Sequence, residues 1–386
     1  MSWEEMLLRG ELKMERVLLL SMGFGTGHNM VARTLEDKLL SKPDVEAKTL
    51  DLLQLIPSKF HPVLQSGYQG MLTKFPSFYH YLYDWTYQSK IFRYVSSEVI
   101  EKIGWTIRKK IIQILEKIEP TKIISTHPFA LLMLPPKWDN IPSIGVVTDY
   151  ELHPIWFGRE PDTLCVPKHL LSCDKLERLK WQTGVQIVET GIPVDERYYA
   201  KLSREDARRQ LSLDLDRPVV LVMGGGMGLG PLEQFVDEFI PLVDIQFVVL
   251  TGKNNNLYER LQSRSYEKHI RIEPYRSDIP VWMSAADLLV TKPGGVTISE
   301  AIAKQLPMFL FEAFPGQEQA NQKYLIHHHL AKETTPETIR EQIEAFFAFR
   351  LKKHFLSQHY GQLMSPDAVD RIVEVVLNEP SKVQML

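Results

Sequence analysis

The chain has 386 residues, 45 basic against 48 acidic side chains, a net charge of −3, and 44% hydrophobic and 24% charged residues. At roughly 150 residues per domain this allows two or three domains, each with its own core, which excludes a small disulfide-stapled module, a disordered tail and a bulk nucleic-acid binder. No run nears the ~18 apolar residues of a membrane span, Ser2 to Glu15 carries four glutamates where a signal peptide carries cations, and Cys165 and Cys173 read as ordinary reduced thiols, so a cytoplasmic location is expected.

Short apolar, β-branched runs alternate with helical patterns along the chain, which predicts parallel sheets with helices on both faces, in two Rossmann-like halves. The first set of strands is expected at Arg16–Ser21, Glu46–Asp51, Thr121–Thr126, Pro142–Thr148, Asp162–Pro167 and Gln186–Glu189. Within it, Ser58 to Ile118 departs from the average composition: nine Lys/Arg face four acids, a local net of +5 against −8 for the rest. Eleven aromatics fall between Phe60 and Tyr94, where 10% of 35 positions would give three or four. Trp and Tyr suit the lipid headgroup level and each nearby cation adds about 1 kcal/mol, so residues 58–118 are expected to dock on an anionic membrane surface. An aromatic core under a helical hairpin is the alternative, because Phe75, Phe78, Tyr79, Leu82 and Trp85 could share one helix face. Gly191-Ile-Pro-Val-Asp195 interrupts both periodicities and sets the boundary between domains at 14–195 and 196–386. After a charged helix at Arg204–Leu211, the second set of strands is expected at Pro218–Met223, Ile245–Thr251, His269–Glu273, Asp287–Thr291 and Pro307–Phe311. A last helix, about Pro366 to Asn378, could join either domain.

The candidate chemistry lies at strand ends. The first strand runs into glycines at Gly23, Gly25 and Gly27 and then His28 at the mouth of a helix, where backbone N–H groups and the helix dipole attract an anion. His28 stands where a dinucleotide fingerprint needs its third glycine, so an NAD site is a poor match. An imidazole there suits a general base; a helix-capping histidine is the structural alternative. The fourth strand leads into T-D-Y-E-L-H-P-I-W, where Asp149 is a second candidate base and Trp156 a candidate for the acceptor entrance. His127-Pro128 is a further strand-end pair, as readily a turn as a site. In the second half, the loop Gly224 to Gly230, with Gly225 and Gly226, could admit a diphosphate, and the absence of G-K-[ST] excludes a Walker loop. T-K-P-G-G-V-T-I-S-E-A then brings Gly294, Gly295, Thr297 and Glu300 to a helix start, where a carboxylate can accept bonds from vicinal ribose hydroxyls. Gln317, Glu318 and Asn321 offer the mixed donors and acceptors that sugar hydroxyls need; each alone could be a helix cap. Asp214-Leu-Asp216 reads as a turn, and His327, His328 and His329, splayed by about 100° per residue on a helix, cannot converge on one ion.

These motifs, G-x-G-H, V-V-T-D-Y-E-L-H-P-I-W, T-G-I-P, the G-G-G loop, K-P-G-G-V-T-I-S-E-A and P-G-Q-E-Q-A-N, stand in the order found in bacterial processive diacylglycerol glucosyltransferases and plant monogalactosyldiacylglycerol synthases, which the chain resembles from about Glu15 to Leu330. The resemblance implies the glycosyltransferase B fold, an α/β architecture of two Rossmann-like domains facing each other across a cleft, with lipid acceptor held by the N-terminal half and UDP-sugar by the C-terminal half. It also implies His28 as base, Glu300 as ribose ligand, and Gln317 with Glu318 as sugar contacts. The chain departs from the family after Asn321, where Q-K-Y-L-I-H-H-H-L-A-K-E-T lacks the usual glycine-led loop and short apolar strand, so a trimmed C-terminal edge is expected.

The expected reaction is inverting transfer of a hexose, with UDP-glucose as the expected donor, to diacylglycerol or a glycolipid at the inner face of the membrane. His28 or Asp149 takes the acceptor's proton, and N–H dipoles at the two glycine turns meet the charge growing on the leaving diphosphate, so neither cofactor nor bound metal is required. Galactose and N-acetylglucosamine remain open as donor sugars. Transfer to a polyprenyl-linked cell-wall precursor, a nucleotide-sugar epimerase and a UDP-sugar sensor are the rival readings.

Overall fold

The computed structural model of the protein describes residues 14–23, 26–55, 108–170, 173–264, 266, 268–311, 316–348, 360, 361 and 363–380. They form two units, one of the described residues within Met1–Thr148, Leu152–Pro193 and Asp367–Leu386, the other of those within Asp149–Glu151 and Val194–Pro366. Most of the aromatic, basic stretch at 58–118, and Gly25 of the first glycine loop, lie outside the described residues.

The first unit is built on six parallel strands, β1 (Glu15–Ser21), β2 (Val45–Asp51), β3 (Lys122–Ser125), β4 (Ser143–Val146), β5 (Thr163–Val166) and β6 (Gln186–Glu189), in the order β2-β1-β3-β4-β5-β6. Parallel strands covered by helices on both faces must be apolar throughout, and Val17 to Leu20 of β1 and all of β3 and β5 are buried. β2, at an edge, alternates instead, with Glu46 and Lys48 exposed, which keeps a further strand from adding there. Helices α1 (Gly27–Leu40), α2 (108–118), α3 (Pro128–Leu132) and α4 (Cys173–Thr183) connect these strands. The core gathers Leu18, Leu20, Ile123, Leu131, Val147, Leu164 and Trp156. Trp156 is 3% exposed and packs over Gly145, where a Cβ would come within 2.8 Å of its ring. It is a core residue of the first unit, and the expected role at an acceptor entrance is corrected accordingly.

The second unit repeats the plan with β7 (Val219–Met223), β8 (Gln246–Leu250), β9 (Ile270–Glu273), β10 (Leu288–Thr291), β11 (Met308–Leu310) and β12 (Ala331–Glu333), all parallel, in the order β12-β11-β10-β7-β8-β9. Every residue of β7 and β10 is buried, and Phe235, Phe239, Phe247 and Phe311 stack into the core beneath the sheet. Its helices include α5 (Arg204–Leu211), α6 (Leu232–Phe239), α7 (Asn255–Gln262), α8 (Ile279–Ala285), α9 (Gly295–Ala303), α10 (Gln317–His327) and α11 (Pro336–Ala348). All eleven strands expected from the sequence form, most of them a residue or two shorter. The expected trimmed edge is corrected: β12, reading Ala-Lys-Glu, pairs in register with β11, Met308 opposite Ala331 and Leu310 opposite Glu333. An edge strand needs no apolar run, because one face and one side are open to water.

The last helix, α12 (Ala368–Asn378), belongs to the first unit and packs on α1, where Lys38 and Asp370 pair at 2.7 Å. Lys122 of β3, 1% exposed, donates to the carbonyls of Val376 at 2.7 Å and Leu377 at 2.9 Å. A buried ammonium there satisfies carbonyls with no intrahelical donor and meets the negative end of the helix dipole. Burial lowers its pKa, while Glu15 and Glu379 oppose that shift.

Candidate active site

In both sheets the strand order reverses at an inner strand, and open α/β sheets bind ligands at the carboxyl ends of such strands. In the first unit these ends carry the Gly23 turn, Thr126-His127 and Thr148. Gly23 is required by space: a Cβ would sit 2.6 Å from Asp51 and 2.8 Å from Asn29. Asp51, ending β2, accepts the Gly23 N–H at 3.1 Å and the Asn29 amide at 2.9 Å, and so fixes the turn against the start of α1. Gly27 is the first residue of α1 and His28 the second.

His28 Nδ1 lies 2.8 Å from the Thr126 carbonyl and 3.2 Å from Thr148 Oγ1. A carbonyl only accepts, so Nδ1 carries the proton and Nε2 is the basic nitrogen, the tautomer a general base needs. Thr126 Oγ1 donates to the His28 carbonyl at 3.2 Å, a second tie between β3 and the helix start. The ring of His127 stands edge-on to His28, centroids 4.7 Å apart. His127 Nδ1 accepts the Phe129 N–H at 3.3 Å, as a helix cap does, and burial first, His28 second, hold its pKa well below the ordinary imidazole value. His127 therefore stays neutral and keeps a second positive charge out of the cluster. His153 is likewise a cap, accepting from Ile155 N–H at 3.1 Å, with burial lowering its pKa to about 4.

The second unit assembles the remaining candidates. Gly225, in the turn after β7, has φ +68°, which a residue with a side chain rarely adopts. Its neighbour Gly226 accepts the Lys253 N–H at 2.9 Å. After β10, Gly294 N–H closes a tight turn on the Lys292 carbonyl at 2.9 Å, and Gly295 begins α9, whose first-turn amides, through Thr297, have no acceptor within the helix. Glu300, one turn further, is 8% exposed. Burial raises its carboxyl pKa to about 7, with the Tyr198 hydroxyl donating against that shift and Asp195 adding to it. Gln317 and Glu318 open α10, and Glu318 forms an ion pair with Lys292.

Asn321 is fully buried and its amide serves the protein: Oδ1 accepts Tyr150 N–H at 2.7 Å, while Nδ2 donates to Asp149 Oδ1 at 2.9 Å and to the Pro293 carbonyl at 3.0 Å. Both amide hydrogens are used. The expected sugar-hydroxyl contact of Asn321 is thus corrected: it positions Asp149 and the Pro293 turn. Tyr150 is tied to the same turn, since Ser299 Oγ donates to the Gly295 carbonyl at 2.8 Å and so accepts from the Tyr150 hydroxyl at 3.0 Å. The Tyr150 ring also stacks on Tyr324, centroids 5.0 Å apart. His28 and Asp149, the two candidate bases, belong to different units. Asp214 accepts the N–H groups of Asp216 and Arg217, the turn expected of it. Sequence reasoning passed over Lys292, Tyr150, Tyr198, Thr126 and Asp51, whose roles depend on partners far away in the chain.

Two parallel, doubly wound sheets with glycine turns at the carboxyl ends of their inner strands are the architecture of the glycosyltransferase B fold. The spinosyn rhamnosyltransferase SpnG superposes with a TM-score of 0.61 at 12% identity, covering 92% of this chain and 99% of that one. HepE of Anabaena, in its complex with UDP-glucose, gives 0.53 at 14% over 95% and 100%. Residues 28–194 match the monogalactosyldiacylglycerol (MGDG) synthase family, and residues 219–372 match the glycosyltransferase family 28 C-terminal domain. The two matches follow one another along the chain and together mark it as a glycosyltransferase. A processive diacylglycerol beta-glucosyltransferase of Bacillus thuringiensis (strain Al Hakam) is 28% identical over 385 residues, 95% of each chain.

Proposed function

We propose that this protein transfers a hexose, glucose in the first instance, from a UDP-sugar to diacylglycerol with inversion at the anomeric carbon. The acceptor is suggested by the similarity to the diacylglycerol glucosyltransferase along 95% of the chain. The observation that carries the chemistry is His28, held at a strand end by the Thr126 carbonyl with Nε2 as the base. Nε2 takes the proton of the acceptor's primary hydroxyl, the oxygen attacks the anomeric carbon, and the bond from that carbon to the diphosphate breaks, its electron pair leaving with UDP. Such a base contributes about 10²- to 10⁴-fold. Asp149, held by Asn321, is the second candidate. On the donor side the turns at Gly225, Gly226, Gly294 and Gly295, with Thr297, face the diphosphate; Glu300 takes the ribose hydroxyls; Gln317 and Glu318 take the hexose. Gly27, at the head of α1, lets the acceptor approach His28 closely.

Among the described residues no helix is long and apolar enough to cross a membrane. On this proposal the protein meets its lipid from the inner face of the membrane through the basic, aromatic stretch at 58–118. UDP release from a panel of UDP-hexoses, with and without diacylglycerol vesicles, followed by mass spectrometry of the lipid, tests it. Vesicle-dependent turnover yielding a hexosyl-diacylglycerol is expected. UDP-sugar binding without turnover on diacylglycerol would sink the acceptor assignment, and turnover of the donor without any acceptor would point to epimerisation or hydrolysis.

A further inference from the structure

Lys292 places a cation where the donor reading needs one. It follows β10, its side chain is 19% exposed, and its ammonium is paired with Glu318 on α10, itself 18% exposed. The two glycine turns make room for it: a Cβ on Gly225 would lie 2.9 Å from Lys292 Cε and 4.0 Å from Nζ, and one on Gly294 would lie 3.7 Å from Nζ. The ammonium therefore rests against both turns to which the diphosphate is assigned.

We infer that Lys292 is the counter-charge for the donor diphosphate and that Glu318 is its resting partner, exchanged when the donor binds. The inference rests on the reading that the second unit binds a UDP-sugar, and it adds to that reading a charge and an order of events. In the donor, both phosphates are esterified and carry one negative charge each; when the anomeric carbon–oxygen bond breaks, the electron pair stays on the terminal phosphate oxygen and the diphosphate gains a third charge. Backbone N–H groups answer this with partial charges, whereas an ammonium answers with a full one. The exchange itself costs little. A mostly buried ion pair is close to break-even because desolvation offsets attraction, and the ammonium trades one anion for another. Glu318, its ion pair with Lys292 exchanged, then accepts hydrogen bonds from hexose hydroxyls, so recognition of the sugar follows placement of the diphosphate.

Titration calorimetry of UMP, UDP and UDP-glucose on the full chain tests this with Lys292→Met, Lys292→Arg and Glu318→Gln. The expected result for Lys292→Met is a fall of about tenfold or more in the preference for UDP over UMP, with UMP affinity kept within about twofold as the check on folding. Lys292→Arg should restore most of that preference. Glu318→Gln, which removes this ion pair beforehand, should tighten UDP several-fold while the added affinity for UDP-glucose over UDP declines. A wild-type preference for UDP that persists unchanged in Lys292→Met overturns this inference alone. Wild-type protein that binds none of the three overturns the UDP-sugar reading and this inference with it.

Discussion

Glu300 gives the ribose assignment a signature that can be measured without turnover. Its buried carboxyl has a pKa of about 7, so at pH 7 it is about half protonated in the free protein. Two ribose hydroxyls donating to it would favour the ionised form and return the pKa toward the ordinary carboxylate range near 4.5. Binding then releases about 0.9 proton at pH 6, about 0.5 at pH 7 and about 0.1 at pH 8, and by linkage the affinity rises roughly tenfold from pH 6 to pH 8. UDP-glucose is the ligand to use, because its diphosphate is esterified on both sides and has no proton to lose in this range. Calorimetry in buffers of different ionisation enthalpy counts the protons directly. Glu300→Gln should abolish the release and flatten the pH dependence. A wild-type titration without proton release at pH 6, or the same release from Glu300→Gln, would refute the assignment. The same shift has a cost in stability: a carboxyl whose folded pKa is raised loses stability as pH climbs from about 4.5 to 7, here by roughly 3 kcal/mol, so Glu300→Gln should raise the melting temperature at pH 8 and leave it nearly unchanged at pH 4.

His28→Ala should reduce kcat at least about a hundredfold while UDP affinity, measured by calorimetry, stays at the wild-type value; an unchanged rate would remove His28 from the role of base. Asn321→Ala withdraws three hydrogen bonds and leaves the Asp149 carboxylate without its amide donor, so a loss of about 2–3 kcal/mol in denaturant unfolding is expected together with lower kcat, and wild-type stability would show that the amide is not the anchor described. His127 and His153 are held neutral by burial, so the unfolded chain takes up protons below about pH 6.5 that the folded first unit refuses. Stability present above that pH is lost on acidification toward pH 4, by roughly 3 kcal/mol from His153 alone, and His153→Gln should remove that part of the slope in pH-dependent melting.

The strands were legible because a parallel sheet covered on both faces demands near-continuous apolar runs, and β1, β7 and β10 supply them. β12 was not, since three residues of an edge strand carry no periodicity and form only because β11 offers its open side. His28 was legible as a residue type after a glycine turn. Its tautomer was not: that is set by the Thr126 carbonyl, 98 positions further along the chain. Lys292 stands inside a motif dominated by its glycines, and the pair it makes with Glu318 exists only once β10 and α10 are folded.

Asn321 shows why the division falls there. Its position at the head of a helix after an inner strand fits a ligand contact, and so does its chemistry, yet its hydrogen bonds go to Asp149 and Tyr150, which lie 172 and 171 positions earlier. Parallel α/β sheets bring the carboxyl ends of strands together from distant parts of a sequence, so the side chains available at such an end are local information while their partners are not. An amide has only two hydrogens to give, and once Asp149 and the Pro293 carbonyl have taken them the residue is a brace rather than a ligand. The same count, applied to Ser299 between Gly295 and Tyr150, fixes the direction of that bond as well. Residue type proposes a role at a strand end; the tally of donors and acceptors in the folded chain decides between a role toward substrate and a role toward the protein.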